Sequence, residues 1–204
     1  MSAYTFIEYE QGTPAWLKWR NQGIGASDAP TIMGENPWKS AEQLLEEKCG
    51  DRDTDSNEAM VRGSALEPLA RSLFESKIEM SMAPACLQSS SAKWMRASVD
   101  GISADATRIV EIKCGESVYR KTSLSRQVPN YYFGQLQHIL AITHLELIDF
   151  WRWVAPKNVD ERSDSRNSAV AVRQTKRYVA YAGFPSPPAL AKLAPRGEAH
   201  GPRC

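Results

Sequence analysis

The stretch SVDGISADATRIVEIKC, from Ser98 to Cys114, sets two carboxylates and a lysine in the spacing Asp100-x10-Glu111-x-Lys113. Side chains along a strand alternate between faces, so Glu111 and Lys113 share one face and Ile112 turns to the other. Asp100 closes the preceding strand, and Gly101 allows a sharp bend beside it. A hairpin of this length brings Asp100 close to Glu111. Two converging carboxylates repel, so such a pair calls for a metal ion or a shared proton. Hard oxygen ligands suit Mg²⁺ or Mn²⁺, ions that bind substrate phosphates. Lys113 then stands beside the attacking water, to orient it, to stabilise developing charge, or to give up its own proton if desolvated. The competing reading is an amphipathic hairpin whose charges face water, because Glu-x-Lys is ordinary alternation in a strand.

Two further features bear on that choice. Glu67, in RGSALEPLAR, is a carboxylate on a helix ahead of the strands, placed either to project toward the hairpin or to face solvent. Tyr131, Gln135 and His138 fall at i, i+4 and i+7 of one predicted helix and make a polar stripe. Tyr132 and Gln137 belong to the same helix, while Leu136, Ile139, Leu140 and Thr143 point toward a core. Such a helix can orient a phosphate or a water beside the hairpin, and a helix with a plain polar outer face has the same pattern.

Positioning these groups requires a framework, and local signals supply most of it. TPAWLKWRNQGI reads as a first helix, opened by Pro14 and left at Gly23. GASDAPTIMG offers Ser27 or Asp28 as N-cap and Gly34 as stop. In SAEQLLEEKCG, Ser40 and Gln43 fit a capping box and Gly50 the C-terminal exit. The acidic run DRDTDSNE reads as a loop. A long helix follows over about residues 57–78, with Leu66, Leu69, Ala70, Leu73 and Phe74 as its buried stripe and Pro68 as a kink or a new first turn. KWMRASV and TRIVEIK read as strands around the turn SADAT, NYYFGQLQHILAIT as a helix capped by Asn130, and ELIDFWRWV as another strand. NVDERSDSRNS reads as a polar loop and AVRQTKRYVAYAGF as a weaker helix. The expected fold is mixed α/β, a central, mostly antiparallel or mixed sheet flanked by helices. Residues 1–184 form one domain, and the proline-rich residues 185–204 form a flexible tail.

Bulk properties narrow the function classes. No apolar run approaches the roughly 18 residues of a membrane span, and MSAYTFIEYE lacks the pattern of a signal peptide, so an intracellular setting is expected. Cys49, Cys86, Cys114 and Cys204 form no CxxC pair and read as free thiols. Net charge is only +1, but residues 1–60 hold 5 Lys/Arg against 11 Asp/Glu, and the remainder hold 20 against 13. A neutral total therefore conceals a basic portion, the footprint that phosphate binding needs.

Taken in order, the motifs Trp16-x-x-x-Arg20, Gly25-Ala26-Ser27-Asp28, Gly63-x-x-x-Glu67-x-x-Ala70-Arg71, Ser98-Val99-Asp100-Gly101, Glu111-Ile112-Lys113-Cys114 and Tyr132-x-x-Gln135-x-Gln137 resemble the YqaJ-type viral recombinase, or phage lambda exonuclease, family of the PD-(D/E)XK nuclease superfamily. That resemblance implies a restriction-endonuclease-like core. It implies a 5′→3′ exonuclease on linear double-stranded DNA that leaves a 3′ overhang for recombination by strand annealing. Asp100, Glu111 and the Ile112 carbonyl would hold a pair of Mg²⁺ ions, with Mn²⁺ as an alternative and Glu67 serving the second ion. Lys113 would handle the attacking water, and Gln135 would reach the site from its helix. Arg20, Ser27 and Ser98 match positions that bind the DNA 5′-phosphate. Arg120, Lys121, Tyr132 and Gln137 are candidate DNA contacts. The family arginine eight residues beyond the metal-binding glutamate is Tyr119 here, with Arg120 and Lys121 as neighbouring substitutes. Implied partners are DNA ends, two further copies in a ring-shaped homotrimer, and a single-strand annealing protein, with no membrane. The implied setting is the cytoplasm of a bacterial host, the gene being carried by a phage or prophage. An endonuclease of the same superfamily and a non-catalytic DNA-binding module are the rival readings.

Overall fold

A computed structural model describes residues 2–50, 58–155 and 169–175. The strands are β1 (Tyr4–Ile7), β2 (Ile24–Gly25), β3 (Met82–Ser89), β4 (Met95–Ser103), β5 (Ile109–Cys114), β6 (Leu147–Trp153) and β7 (Ala169–Thr175). The helices are α1 (Pro14–Asn21), α2 (Ala29–Ile32), α3 (Ala41–Cys49), α4 (Glu58–Ile78), α5 (Glu116–Ser125) and α6 (Asn130–Thr143), with a 3₁₀ turn at Ala26–Asp28. The strands form one sheet in the order β1-β3-β4-β5-β6-β7, and β2 adds to β4 in parallel. Neighbours on the main path are antiparallel except β5 and β6. A parallel pair needs a crossover, and α5 and α6 supply it.

The sheet is covered on both faces. Leu136, Ile139, Leu140 and Ile142 of α6 pack on Val99, Ile109, Ile148 and Phe150. Ala70 and Phe74 of α4 pack on Val110, Ile112, Trp151 and Trp153 of the opposite face. The α4 stripe differs from expectation at Leu69, which is 53% exposed. At 100° per residue Leu69 falls beyond the edge of the face made by Leu66, Ala70, Leu73 and Phe74. Pro68 sits within a continuous α4. It lacks an N–H, so it removes the usual partner of the Ser64 carbonyl one turn earlier.

Local capping follows the sequence at α3, where Ser40 and Gln43 bond each other's backbone N–H groups and Gly50 takes φ +84°. Elsewhere it departs. Neither Ser27 nor Asp28 caps a helix with its side chain; Asp28 Oδ2 instead accepts from the Gly25 N–H at 2.8 Å. Asn130 is the first residue of α6 and Pro129 its capping position, without a side-chain bond. Glu35 reaches over from the α2–α3 loop to accept the Gly134 N–H at 2.9 Å.

The start of the expected final helix is a strand. Residues 169–175 pair with β6 from Leu147↔Thr175 to Trp153↔Ala169. The β6 residues Trp151, Arg152 and Trp153 are buried, so an unpaired outer edge would leave their backbone groups unsatisfied. That demand outweighs local helical propensity. The acidic run at 51–57, the polar loop from 158, residues 176–184, the tail and Cys204 lie outside the described residues. Cys49, Cys86 and Cys114 are free thiols. Among the described residues no helix is long and apolar enough to cross a membrane.

Candidate active site

The site forms where two strands part. The β4–β5 ladder holds Ile102↔Ile109 and Gly101↔Val110 and then ends. A Cβ on Gly101 would stand 2.8 Å from Val110 Cγ1, so glycine permits this close approach. One residue further, Asp100 Oδ2 accepts the Ile112 N–H at 2.6 Å in place of a backbone partner. In a ladder the N–H and C=O of one residue point to the same edge, so the Ile112 carbonyl opens on the same gap.

Glu111 and Lys113 share a face, as period-two alternation requires. Glu111 is 1% exposed, and its Oε1 accepts from Lys113 Nζ at 2.5 Å and Gln135 Nε2 at 2.6 Å. Lys113 Nζ lies 5.1 Å from the centre of the Tyr132 ring. Burial, the Glu111 charge and Glu67 push the Asp100 carboxyl well above the ordinary aspartate range. Burial opposes the charge on Lys113, but the Glu111 and Asp100 carboxylates outweigh it and hold its pKa above that of an ordinary lysine.

Glu111 Oε2 is buried without a hydrogen-bond partner. An orphaned carboxylate oxygen, a second carboxylate repelled by it and a carbonyl facing the same gap are a hard-oxygen donor set suited to Mg²⁺ or Mn²⁺. Among the described residues no three His, Cys, Asp or Glu side chains converge to hold an ion. Glu67, on α4, is ion-paired with Arg71 at 2.7 Å, and its charge is near enough to raise the pKa of both Asp100 and Cys114.

A cleft of about 270 Å³ brings Asp100 and Glu111 together with Trp16, Arg20, Ser27 and Ser98, and Lys113 and Gln135 also line it. Arg20 Nη2 donates to Ser27 Oγ at 2.8 Å and lies 3.5 Å from Asp28 Oδ1. Burial disfavours the Asp28 charge, yet Lys48 at 2.7 Å and Arg20 together lower its pKa. Ser98 Oγ accepts from Trp16 Nε1 at 2.7 Å. Sequence reasoning assigned Trp16 no role, although its i, i+4 spacing to Arg20 was a usable signal.

The remaining candidates divide. Tyr132 lies under Lys113, and Lys121 sits 5.3 Å from the Tyr131 ring centre. Arg120 is exposed and paired with Glu116 at 2.5 Å. Gln137 donates to the Thr175 carbonyl at 3.2 Å, at the end of β7, and is not among the cleft's lining residues. The expected polar stripe on α6 is broken up. Tyr131 stacks edge-on against Trp38, Gln135 reaches Glu111, and His138 is 1% exposed against the backbone of Ile24 and Arg96.

Burial lowers the His138 pKa to about 4 from the ordinary imidazole value of 6.5. With the folded pKa depressed, the unfolded chain binds the extra proton, so this contribution is complete above about pH 6.5 and is lost as pH falls toward 4. Urea denaturation at about pH 7.5 and about pH 4.5 should show wild type losing on the order of 2–3 kcal/mol more than His138→Gln. Equal losses in the two proteins would refute the neutral buried imidazole.

The family model for the YqaJ-like viral recombinase domain matches residues 15–146. The uncharacterized protein YqaJ of Bacillus subtilis (strain 168) is 31% identical over 137 residues, covering 65% of this chain and 43% of the relative. An uncharacterized protein of Acanthamoeba polyphaga mimivirus is 26% identical over 158 residues, covering 70% of this chain and 29% of that one. The chain thus spans less than half the length of these curated relatives. The fold is shared with the crystal structure of an alkaline exonuclease, LHK-Exo, from Laribacter hongkongensis, at a TM-score of 0.68, 21% identity and 89% coverage of both chains. The same enzyme in complex with dAMP gives 0.66, 22% identity and coverage of 89% of this chain and 87% of that one. A phage-related exonuclease from Haemophilus somnus 129PT gives 0.58 at 10% identity, covering 84% of this chain and 88% of that one. With residues 15–146 matched by its model, the chain belongs to the YqaJ-like viral recombinase family.

Proposed function

We propose that the chain is a Mg²⁺-dependent deoxyribonuclease that degrades linear double-stranded DNA from 5′ to 3′ and leaves a 3′ overhang for strand annealing. The observation that carries this reading is the unpartnered Glu111 Oε2, set in one cleft with Asp100, Lys113, Arg20, Ser27 and Ser98. Family membership and the fold shared with alkaline exonucleases support a nuclease role in recombination.

Asp100, Glu111 and the Ile112 carbonyl would hold the metal ions, with Glu67 joining when released from Arg71. When bound, the ions favour ionisation of the attacking water and stabilise charge on the leaving 3′-oxygen. Gln135 fixes the Glu111 carboxylate through Oε1, which leaves Oε2 without a hydrogen-bond partner and available to an ion. Lys113 offers a positive charge and a proton donor to the phosphoryl oxygens. Arg20, Ser27 and Ser98 bind the terminal phosphate and set the register of the first scissile bond. Lys121 and the tyrosines beside it take the strand leading away. The same reading includes a homotrimeric ring, a single-strand annealing partner and action in the cytoplasm of a bacterial host.

Digestion of linear and covalently closed circular duplex, with 5′-phosphoryl and 5′-hydroxyl ends, tests the assignment. Loss of linear DNA with Mg²⁺, intact circles and faster loss from phosphorylated ends are expected. Cleaved circles would establish the endonuclease reading, and metal-dependent binding without product the non-catalytic one. Arg20→Ala should slow phosphorylated ends by on the order of tenfold to a hundredfold, as expected for loss of a charge-assisted phosphate contact.

A further inference from the structure

We infer that Trp16 is a positioning residue for recognition of the 5′-phosphate, its indole N–H fixing the Ser98 hydroxyl as a donor and its ring steadying Arg20. The inference rests on the end-recognition reading above.

A serine hydroxyl has one proton and two lone pairs, and an indole N–H can only donate. The 2.7 Å bond from Trp16 Nε1 therefore occupies an acceptor site on Ser98 Oγ and turns the Ser98 proton elsewhere. The neighbour on that side is Cys86 Sγ at 3.8 Å. Cys86 commits its own proton to the Tyr9 carbonyl at 3.4 Å, so its sulfur meets Ser98 as an acceptor. Sulfur is a weak acceptor. Exchanging it for an anionic phosphate oxygen is favourable, because a charge-assisted bond replaces a poor one. Ser98 is thus held ready to donate without a strong internal competitor.

The same side chain acts on Arg20. The Arg20 guanidinium carbon lies 5.4 Å from the centre of the Trp16 ring, the i, i+4 neighbour on α1. Ser27 and Asp28 hold the guanidinium through its Nη2. Thr13 caps α1 by accepting the Trp16 backbone N–H at 3.3 Å, which fixes where the indole starts. Trp16, Arg20, Ser27 and Ser98 all line the same cleft.

The readout is the ratio of initial rates on 5′-phosphoryl and 5′-hydroxyl linear duplex. Trp16→Phe, which keeps a ring under Arg20 and removes the N–H, should lower that ratio by about tenfold. Replacement of Trp16 by its benzothiophene analogue preserves the shape without the N–H and should do the same if Trp16→Phe folds poorly. Adding Ser98→Ala to either should lower the ratio no further, because the two act through one hydroxyl. A wild-type ratio in both Trp16 variants, with a lowered ratio in Ser98→Ala alone, overturns this inference and leaves end recognition standing. A wild-type ratio near one overturns both.

Discussion

Asp100→Asn should abolish hydrolysis, by on the order of a thousandfold or more, while raising the Tm of the metal-free protein. The two effects have one cause. Burial and the adjacent Glu111 carboxylate hold the Asp100 pKa up, so its charged form is disfavoured in the folded protein. A group with a raised folded pKa contributes stability below its unfolded pKa, and that contribution is lost as pH rises through the folded value. At neutral and alkaline pH, above the unfolded value, the perturbed Asp100 carboxyl therefore weakens the metal-free fold. Asparagine removes the charge and keeps an oxygen for the Ile112 N–H. A ligand that binds only the folded state raises apparent stability, so Mg²⁺ should raise the wild-type Tm and leave Asp100→Asn nearly unchanged. Thermal melts with and without Mg²⁺, beside a linear-duplex digestion, check all of this. A variant that is both inactive and less stable without metal would indicate a structural role for Asp100 instead.

What the sequence made legible were features decided within a few residues. The Ser40–Gln43 box and the shared face of Glu111 and Lys113 follow from local spacing, and the structure keeps both. The carboxylate pair itself was legible only as a hairpin of suitable length. Its geometry depends on the ladder ending at Gly101↔Val110, and pairing registers are not written in one strand alone. The bond from Trp16 to Ser98 joins residues 82 positions apart. Spacing put Gln135 and His138 on one polar stripe, but α6 packs against the sheet, the 3₁₀ turn and α2 at once, so both are buried and only Gln135 meets the site. Residues 169–175 became a strand because β6 needed a partner, a demand set by burial elsewhere in the fold.

Lys113→Met should act on stability with the opposite sign to Asp100→Asn, although it too should remove activity, by about a hundredfold to a thousandfold. The Lys113 ammonium is the cation bonded to Glu111, whose side chain is 2% exposed. Methionine keeps the unbranched stem without the ammonium and leaves Glu111 beside Asp100 with that charge unopposed. Removing one partner of a buried ion pair costs roughly 3 kcal/mol, so the metal-free variant should melt well below wild type. Mg²⁺ then has more repulsion to relieve, and the rise in Tm on adding it should exceed that of wild type. Lys113→Arg should restore much of the stability and little of the activity. A planar guanidinium supplies charge but does not reproduce a compact ammonium in the slot between Glu111 Oε1 and the Tyr132 ring. Opposite shifts for the Asp100 and Lys113 variants without metal, converging when Mg²⁺ is added, are the signature of one electrostatic balance that the metal completes. Parallel shifts would mean that the two residues stabilise the fold independently of any ion.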